Sequence, residues 1–229
     1  MIESDFSKMK IMKPMYDGIP VELKQLDSWV NWTIKRAKSN RNGKPFTKVP
    51  MSVIGGMAST TNPKTWAKFK WAQQNYEEKC AQDGRGVLCG LGLVVRGDLV
   101  GLDLDGCRNP ETGDIRDWAA EIVNTINSYT ELSPTGTGLR IICRGKMPGL
   151  RRRNGPVEMY DEGSPRYLTI TGAHLEGTPT TVEERQEAIG QVYTKYLGQP
   201  KDEEKLPPIF SSAPDLDVDA LLDVALTAT

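Results

Sequence analysis

The sequence predicts an α/β fold of the α+β kind, in which a mainly antiparallel central sheet is flanked by helices. Short apolar segments with strand-like alternation follow one another with gaps of hairpin size, which leave no room for the crossover helices of a parallel sheet. Other segments show the period of amphipathic helices. With 229 residues, of which 38% are hydrophobic, the chain is long enough to bury a core and too apolar to be disordered.

The chain is expected to divide into three parts: a loose leader over residues 1–19, a domain over residues 20–199, and an acidic linker with a short terminal helix over residues 200–229 that leads to a further domain. The last part carries seven acids and two lysines, so the net charge of −1 is the sum of −5 there and +4 before it. No apolar run approaches the roughly 20 residues that span a bilayer. The N-terminus also lacks the apolar block of a secretory signal, so we expect a cytoplasmic protein.

Alternation and helix-start signals predict the elements of the N-terminal half. Residues 29–36 carry apolar side chains at every second position, as in a half-buried strand. Asn62 followed by Pro63 is typical of an N-cap and first helical residue. Gly97 and Asp98 separate two apolar segments by a spacing that suits a tight hairpin. We therefore expect a short helix over residues 20–27, strands over 29–36 and 46–50, a helix after residue 62, and a hairpin of strands 91–96 and 99–105.

The same reasoning covers the C-terminal half. Residues 114–126 have apolar side chains at helical spacing. Thr181 with Glu184 has the spacing of a capping box, which predicts a helix that runs to about residue 197. Further strands are expected over residues 129–132, 139–144, 157–160 and 166–171.

Asp103 and Asp105 form the most informative pattern in the sequence. On a strand, side chains two residues apart project from the same face, so the two carboxylates converge while Leu102 and Leu104 pack behind them. Carboxylate oxygens are the ligands that hard divalent cations prefer. Gly106 then closes the strand. The pattern indicates a metal site but does not say which reaction it serves.

A turn of small residues separates two expected strands shortly after the acidic pair. Its glycines would let backbone N–H groups approach an anion closely, as in a phosphate-binding nest. Arg140, at the start of the next strand, adds a fixed positive charge. The candidate phosphate ligands here are Gly136, Thr137, Gly138 and Arg140.

A third group of candidates lies on the last two strands. Alternation puts Glu158 on the face opposite Val157 and Met159, where it is available as a third carboxylate. Arg166 is a candidate ligand of a triphosphate. Tyr167 is equally suited to the core and to a contact with a sugar.

Basic residues are concentrated in two clusters, one over residues 35–48 that contains no acid and one over residues 144–153. Clustered positive charge is the electrostatic signature of polyanion binding, although two solvated loops would have the same composition. The nucleic-acid-binding candidates are Lys35, Arg36, Lys48, Lys146, Arg151, Arg152 and Arg153, with Lys38, Arg41, Lys44 and Arg144 in the same clusters.

A structural zinc site is not expected, and any catalysis by histidine would have to use His174. The four cysteines are far apart, without a Cys-x-x-Cys pair, and a structural zinc site needs closely spaced ligands. His174 is the only histidine, in a loop rich in glycine and threonine. Scattered cysteines of this kind are typical of buried thiols.

The motifs occur in a recognisable order. They are an Asp-x-Asp strand at 103–105, a Ser-Pro-Thr-Gly-Thr-Gly-Leu-Arg turn at 133–140, and Glu-x-Tyr-Asp at 158–161 followed by Arg-Tyr-x-Thr-x-Thr-Gly at 166–172. This set resembles the archaeo-eukaryotic primase superfamily, in particular the primase-polymerase domains of phage and plasmid replication proteins. Trp-Val-Asn-Trp at 29–32, Lys-Val-Pro at 48–50 and Thr-Trp at 65–66 add to a resemblance that covers residues 20–197.

The resemblance implies a catalytic domain over residues 20–199 that transfers nucleotides from NTPs or dNTPs, directed by a single-stranded DNA template, with Mg²⁺ or Mn²⁺ at a two-metal site. It implies a primer as a further substrate and a helicase downstream in a longer protein, in a bacterial or virus-infected host cell. Carried over by position, Asp103, Asp105 and Glu158 would be catalytic metal ligands. Glu131 and Ser133 would border the nucleotide, Arg140 and Arg166 would touch its phosphates, and Tyr167 would sense the 2′ position of its sugar.

One departure from the family pattern leaves alternatives open. Many relatives carry histidine where this chain has Arg140, and arginine is not a general base at neutral pH. A catalytically inactive primase-like module that binds single-stranded nucleic acid is therefore a second interpretation, with tryptophans as stacking surfaces. A third is a haloacid-dehalogenase-type phosphatase, in which Asp103 would be the nucleophile, although the parallel strand–helix alternation of that fold is missing.

Overall fold

The computed structural model describes residues 11–36, 46–81 and 88–198. Its strands are β1 (Trp29–Arg36), β2 (Phe46–Met51), β3 (Gly90–Val94), β4 (Leu99–Leu104), β5 (Thr130–Leu132), β6 (Leu139–Arg144), β7 (Arg153–Asn154), β8 (Val157–Tyr160) and β9 (Tyr167–Ile170). Its α-helices are α1 (Val21–Lys24), α2 (Phe69–Ala81), α3 (Asp117–Ile126) and α4 (Gln186–Val192), with short 3₁₀ turns at Tyr16–Gly18 and Pro63–Thr65 and a π-helical end at Tyr193–Leu197.

The predicted α/β class, with antiparallel strands and flanking helices, is confirmed. The strands form two sheets, a first sheet in the order β2-β1-β3-β9 and a second in the order β5-β6-β4-β8-β7. Every pair of named strands in the described ranges is antiparallel. A phosphatase with a parallel sheet around Asp103 is inconsistent with this topology, since β4 pairs antiparallel with both of its neighbours.

The expected hairpin of β3 and β4 is wrong. Gly97 adopts a positive φ of 65°, and the Leu99 N–H donates to the Arg96 carbonyl at 3.2 Å, so the turn itself is tight as predicted. The two strands nevertheless enter different sheets, β3 between β1 and β9 and β4 between β6 and β8. A local turn reverses the chain, but pairing follows from which apolar faces meet, and these come from distant segments.

Two predicted helix starts also differ from the structure. Asn62 caps only the short 3₁₀ turn, through a bond from the Lys64 N–H at 3.2 Å, and α2 begins later at Phe69. The capping box at Thr181 is wrong, because the residues before α4 extend along β6, where the Arg185 N–H donates to the Arg144 carbonyl at 2.9 Å. Extended backbone bonded in this way cannot enter a helix until it leaves the strand.

The core decides which face of β4 carries polar groups. Val100, Leu102 and Leu104 are fully buried in a cluster that joins the second sheet to α3 and α4. Asp103 therefore points to the opposite face, toward the first sheet. Gly101 lies on that face too, and a Cβ there would be only 2.5 Å from Leu168 Cδ1 of β9. The missing side chain thus lets the two sheets pack closely beside the acidic residues.

Several sequence predictions fall outside the described ranges. These are the first ten residues of the leader, the basic residues Lys38, Arg41 and Lys44, and the linker with its terminal helix over residues 200–229. In the three ranges that the structure covers, no helix is both long and apolar enough to cross a membrane.

Candidate active site

Five charged side chains from five strands form one row across the second sheet. Residues directly opposite each other in an antiparallel sheet project from the same face with their Cβ atoms about 4.5–5.5 Å apart. The strand registers pair each member of the row with the next. In spatial order this charged row is Glu131, Arg140, Asp103, Glu158 and Arg153.

The centre of the charged row is an ion pair between Arg140 and Asp103. Arg140 Nη2 lies 3.3 Å from Asp103 Oδ2, and the two side chains are 3% and 20% exposed. Within the described residues, Asp103 Oδ1 and the Nε and Nη1 atoms of Arg140 are buried without a hydrogen-bond partner. Buried polar groups without partners are costly and need a reason, such as a ligand, an ion or water that completes them.

Glu158 follows Asp103 in the charged row and is held at both carboxylate oxygens. Its Oε1 lies 3.1 Å from Arg153 Nη1, and its Oε2 accepts a hydrogen bond from the Tyr160 hydroxyl. The predicted alternation is correct, because Val157 and Met159 are buried on the other face. Sequence reasoning missed Tyr160, although its position two residues after Glu158 puts it on the same face.

Arg166 extends this network. Its guanidinium carbon lies 5.3 Å from the centre of the Tyr160 ring, within the range of a cation–π contact. A hydrogen bond with Tyr160 raises the pKa of Arg166, and burial followed by the hydrogen bond to Glu158 raises the pKa of Tyr160 to about 12. The predicted phosphate ligand Arg166 and the predicted carboxylate Glu158 are thus connected through one tyrosine.

Asp105 follows the end of β4 and is half-buried. Its backbone N–H donates to the Pro156 carbonyl at 2.9 Å, which continues the pairing of β4 with β8 beyond the last strand residue. Gly106 then turns the chain away with a positive φ of 61°. The backbone of Asp105 therefore continues the register of β4, and a shared face for the carboxylates of Asp103 and Asp105 stays a prediction.

The donor set suits a hard divalent cation. Asp103 and Glu158 are directly opposite on neighbouring strands, and one Asp103 oxygen has no partner in the described part of the chain. In the side-chain conformations observed, however, no three His, Cys, Asp or Glu residues of the described ranges form a group that could hold a metal ion. Metal binding by Asp103, Asp105 and Glu158 together therefore stays a prediction.

The turn over residues 133–138 is held by its own hydrogen bonds. Ser133 Oγ accepts from the Gly138 N–H at 3.0 Å, and the Ser133 carbonyl accepts from the Gly136 N–H at 2.8 Å. Thr137 Oγ1 lies 2.8 Å from Thr135 Oγ1. The N–H groups of Gly136 and Gly138 are therefore used within the turn, and their contact with a phosphate stays a prediction.

Two further features position this turn beside the acidic strand. Gly138 lies so close to β4 that a Cβ would be 2.6 Å from the Leu104 carbonyl oxygen. Arg108, which sequence reasoning missed, donates from Nη1 to the Gly136 carbonyl at 3.0 Å. Arg108 also lines an open pocket of about 660 Å³ formed by residues 106–111 and 114–116.

Glu131 is fully buried and connects the two sheets. Its carboxylate accepts hydrogen bonds from the N–H groups of Thr171 at 2.9 Å and Gly172 at 2.8 Å, just after β9, and from the Tyr129 hydroxyl at 2.8 Å. Burial raises the pKa of Glu131, while these bonds and the charge of Arg140 oppose the rise. Both oxygens already have protein donors, so contact of Glu131 with a nucleotide stays a prediction.

Tyr167 lies on β9 of the first sheet and packs against Val30 and Val94. Its hydroxyl is buried without a partner in the described residues, and burial raises its pKa while the positive charges of Arg140 and Arg166 oppose the rise. A Cβ on Gly92 would be 2.7 Å from the Tyr167 ring, so the glycine makes room for it. Tyr167 thus belongs to a core cluster, with its hydroxyl in the electrostatic field of both arginines.

Ion pairs neutralise much of the second basic cluster. Arg144 binds both oxygens of Asp98, at 2.8 and 2.7 Å. Arg152 lies 3.5 Å from Asp161, and Arg153 pairs with Glu158 as described above. Elsewhere in the two clusters, Lys35 and Lys146 are exposed, Lys48 lies 5.7 Å from the centre of the Trp32 ring, and Arg151 donates its side chain to Asn154 at 3.2 Å.

Fold and site together define an α/β protein that carries an acidic pair on one strand of an antiparallel sheet, opposite a glutamate of the next strand. No family model matches the chain. The chain is similar to the DNA primase-polymerase of Nitratiruptor phage NrS-1, with 29% identity over 212 residues, which cover 88% of this chain and 27% of that protein. It therefore spans about a quarter of the relative's length. This similarity agrees with the predicted resemblance to the primase-polymerases of phages.

Proposed function

We propose that this chain is the catalytic domain of a DNA primase-polymerase, which transfers nucleotides from NTPs or dNTPs onto a primer as directed by a single-stranded DNA template. The observation that carries the proposal is the direct opposition of Asp103 and Glu158 across β4 and β8 in a chain related to a phage primase-polymerase. Replication of a phage or plasmid, a downstream helicase and the cytoplasm of the host cell are parts of the same proposal.

In the proposed reaction, the primer 3′-hydroxyl attacks the α-phosphate in line and pyrophosphate leaves. Asp103, Asp105 and Glu158 would hold Mg²⁺ or Mn²⁺, which at such sites promotes ionisation of the attacking hydroxyl and offsets charge on the leaving group. An arginine side chain is not a general base at neutral pH, so the hydroxyl proton leaves to a carboxylate or to water.

The arginines would bind the triphosphate. Arg140 is anchored at Nη2 by Asp103, and its Nε and Nη1 have no partner in the described residues, so their N–H groups can donate to phosphate oxygens. Arg166 is exposed and adds a second positive charge on the Tyr160 side of the charged row. Preorganised positive charge of this kind stabilises the charge that develops during phosphoryl transfer.

Primer extension on single-stranded templates, with Mg²⁺ or Mn²⁺ and separate rNTP and dNTP pools, tests the proposal. We expect incorporation by the native chain and its loss in Asp103→Ala and Asp105→Ala. Asp27→Ala is the matched control, because Asp27 also pairs with an arginine, Arg96 at 3.0 Å, but is 70% exposed and is not a member of the charged row. A native chain that binds single strands without extending primers would establish the binding module instead.

A further inference from the structure

We propose that Tyr160 is a positioning residue that holds Glu158 in place for metal binding and connects it to Arg166. The inference rests on the proposed function, because it concerns the metal site of that reaction. Glu158 lies directly opposite Asp103, and a single side chain, Tyr160, links it to the exposed guanidinium of Arg166.

The geometry distinguishes the two groups that hold Glu158. Arg153 lies on the two-residue edge strand β7 and is about half exposed, so its 3.1 Å ion pair with Oε1 is accessible to solvent. Glu158 itself is only 14% exposed, so the side of the pair that is open to solvent is the arginine. A cation that approaches Oε1 can therefore displace Arg153.

Tyr160 is held much more firmly. Its ring is buried in the cluster shared by the two sheets, which also contains Leu168 of β9, and its hydroxyl donates to Oε2 from within the same strand. Displacement of Tyr160 would disrupt core packing, whereas Arg153 can leave at little cost. The carboxylate thus has one fixed oxygen and one oxygen that is exchangeable.

This arrangement is that of a metal ligand supported by an outer hydrogen bond. Carboxylates that bind metals are commonly oriented by a second partner, and loss of that partner typically weakens metal affinity by about 10- to 100-fold. Here the partner itself contacts a predicted phosphate ligand, because the Arg166 guanidinium carbon lies 5.3 Å from the centre of the Tyr160 ring. Nucleotide phosphates at Arg166 and a cation at Glu158 would therefore act on the same tyrosine.

Titration calorimetry of Mn²⁺ into the 229-residue chain, without nucleotide, tests the proposal. Tyr160→Phe removes one oxygen and keeps the ring, and should weaken Mn²⁺ binding by about 10-fold or more. Tyr196→Phe is the matched control, because Tyr196 also donates to a glutamate, Glu121 at 3.0 Å, but on the exposed side of α3, and its Mn²⁺ affinity should equal that of the native chain.

A double-mutant cycle separates positioning from a general effect on the fold. In a Glu158→Gln background, Tyr160→Phe should cause no further loss of Mn²⁺ affinity, because the carboxylate that Tyr160 positions is gone.

Three results would each overturn the inference. They are equal Mn²⁺ affinity of the native chain and Tyr160→Phe, additive losses of affinity in the cycle, and absence of Mn²⁺ binding by the native chain. If the native chain binds Mn²⁺ and extends primers while Tyr160→Phe matches it in both, only the role of Tyr160 is refuted. If the native chain does neither, the proposed function fails as well.

Discussion

Arg140 and Asp103 occupy directly opposite positions on β6 and β4, and their charged groups approach to 3.3 Å. The arginine is therefore fixed beside the residue that is expected to bind metal. An arginine in this position can stabilise phosphate charge but cannot accept a proton. In the proposed primase-polymerase, this pair would let the site bind nucleotide phosphates without the histidine that the family resemblance leads us to expect at this position.

Replacement of Arg140 tests its phosphate role. Arg140→Ala should raise the apparent KM for nucleotide by about 10- to 100-fold, as expected for loss of hydrogen bonds to a charged group, while template affinity changes far less. Arg140→Lys, which keeps the charge but loses the planar fork, should give an intermediate KM. Steady-state primer extension and fluorescence anisotropy on labelled single strands measure the two quantities. Arg96→Ala, which removes the arginine of the exposed pair with Asp27, is the control. If Arg140→Ala weakens template binding more than nucleotide binding, Arg140 does not bind the nucleotide phosphates.

Burial of Glu131 predicts a specific dependence of stability on pH. Because its folded pKa lies above the ordinary value of 4.5, the unfolded chain releases this proton first as the pH rises. The free energy of unfolding of the native chain should therefore fall, relative to Glu131→Gln, from about pH 4.5 upward until the folded carboxyl also ionises. Urea denaturation of both proteins at a series of pH values measures the difference. A difference that grows with pH in favour of the native chain would contradict the shift.

Gly138 and Gly190 form a matched pair for a packing test. Gly138→Ala should destabilise the chain by about 1–3 kcal/mol, because the new Cβ would meet the rigid Leu104 carbonyl at 2.6 Å. Gly190→Ala, inside α4 with no heavy atom within 4 Å of the new Cβ, should stabilise it by about 0.5–1 kcal/mol. Denaturant unfolding measures both changes in the free energy of unfolding. Equal changes at the two sites would show that the turn is not packed tightly against β4.

The ion pairs of the second basic cluster predict which cations contribute to DNA affinity. Lys35→Ala should reduce the slope of log affinity against log salt by about 0.7, the value for one phosphate contact on a single strand. Arg152→Ala should reduce it less, because Arg152 already lies 3.5 Å from Asp161. Anisotropy titrations at several salt concentrations measure the slopes, and a larger effect of Arg152 would mean that DNA displaces Asp161.

Local patterns predicted the individual strands of the site well. Alternation correctly put Leu102 and Leu104 in the core behind Asp103, and Glu158 on the face opposite Val157 and Met159. These are properties of a single strand with a period of two residues, so a short window of sequence contains all the information that they need. The fold class followed from the lengths of the gaps for a similar reason.

Long-range relationships could not be predicted in the same way. Nothing near residue 103 specifies that its neighbours across the sheet are Arg140 and Glu158, since register depends on how distant faces pack. In the second basic cluster, Asp98 and Asp161 form ion pairs with arginines and offset part of the positive charge. A count of basic residues within a short stretch of sequence does not include these partners. The turn at Gly97 was correct, yet the strands on either side of it pair elsewhere.

The pairing of β3 with β9 has a consequence for the order in which the chain folds during synthesis. β1, β2 and β3 emerge from the ribosome early, but the strand that completes their sheet, Tyr167–Ile170, follows only after every strand of the second sheet has been made. Pairing of such distant segments is slow because the intervening loop must first close. Until then β3 presents an open edge, and a nascent or truncated chain that ends before residue 167 would expose it to pairing with other chains.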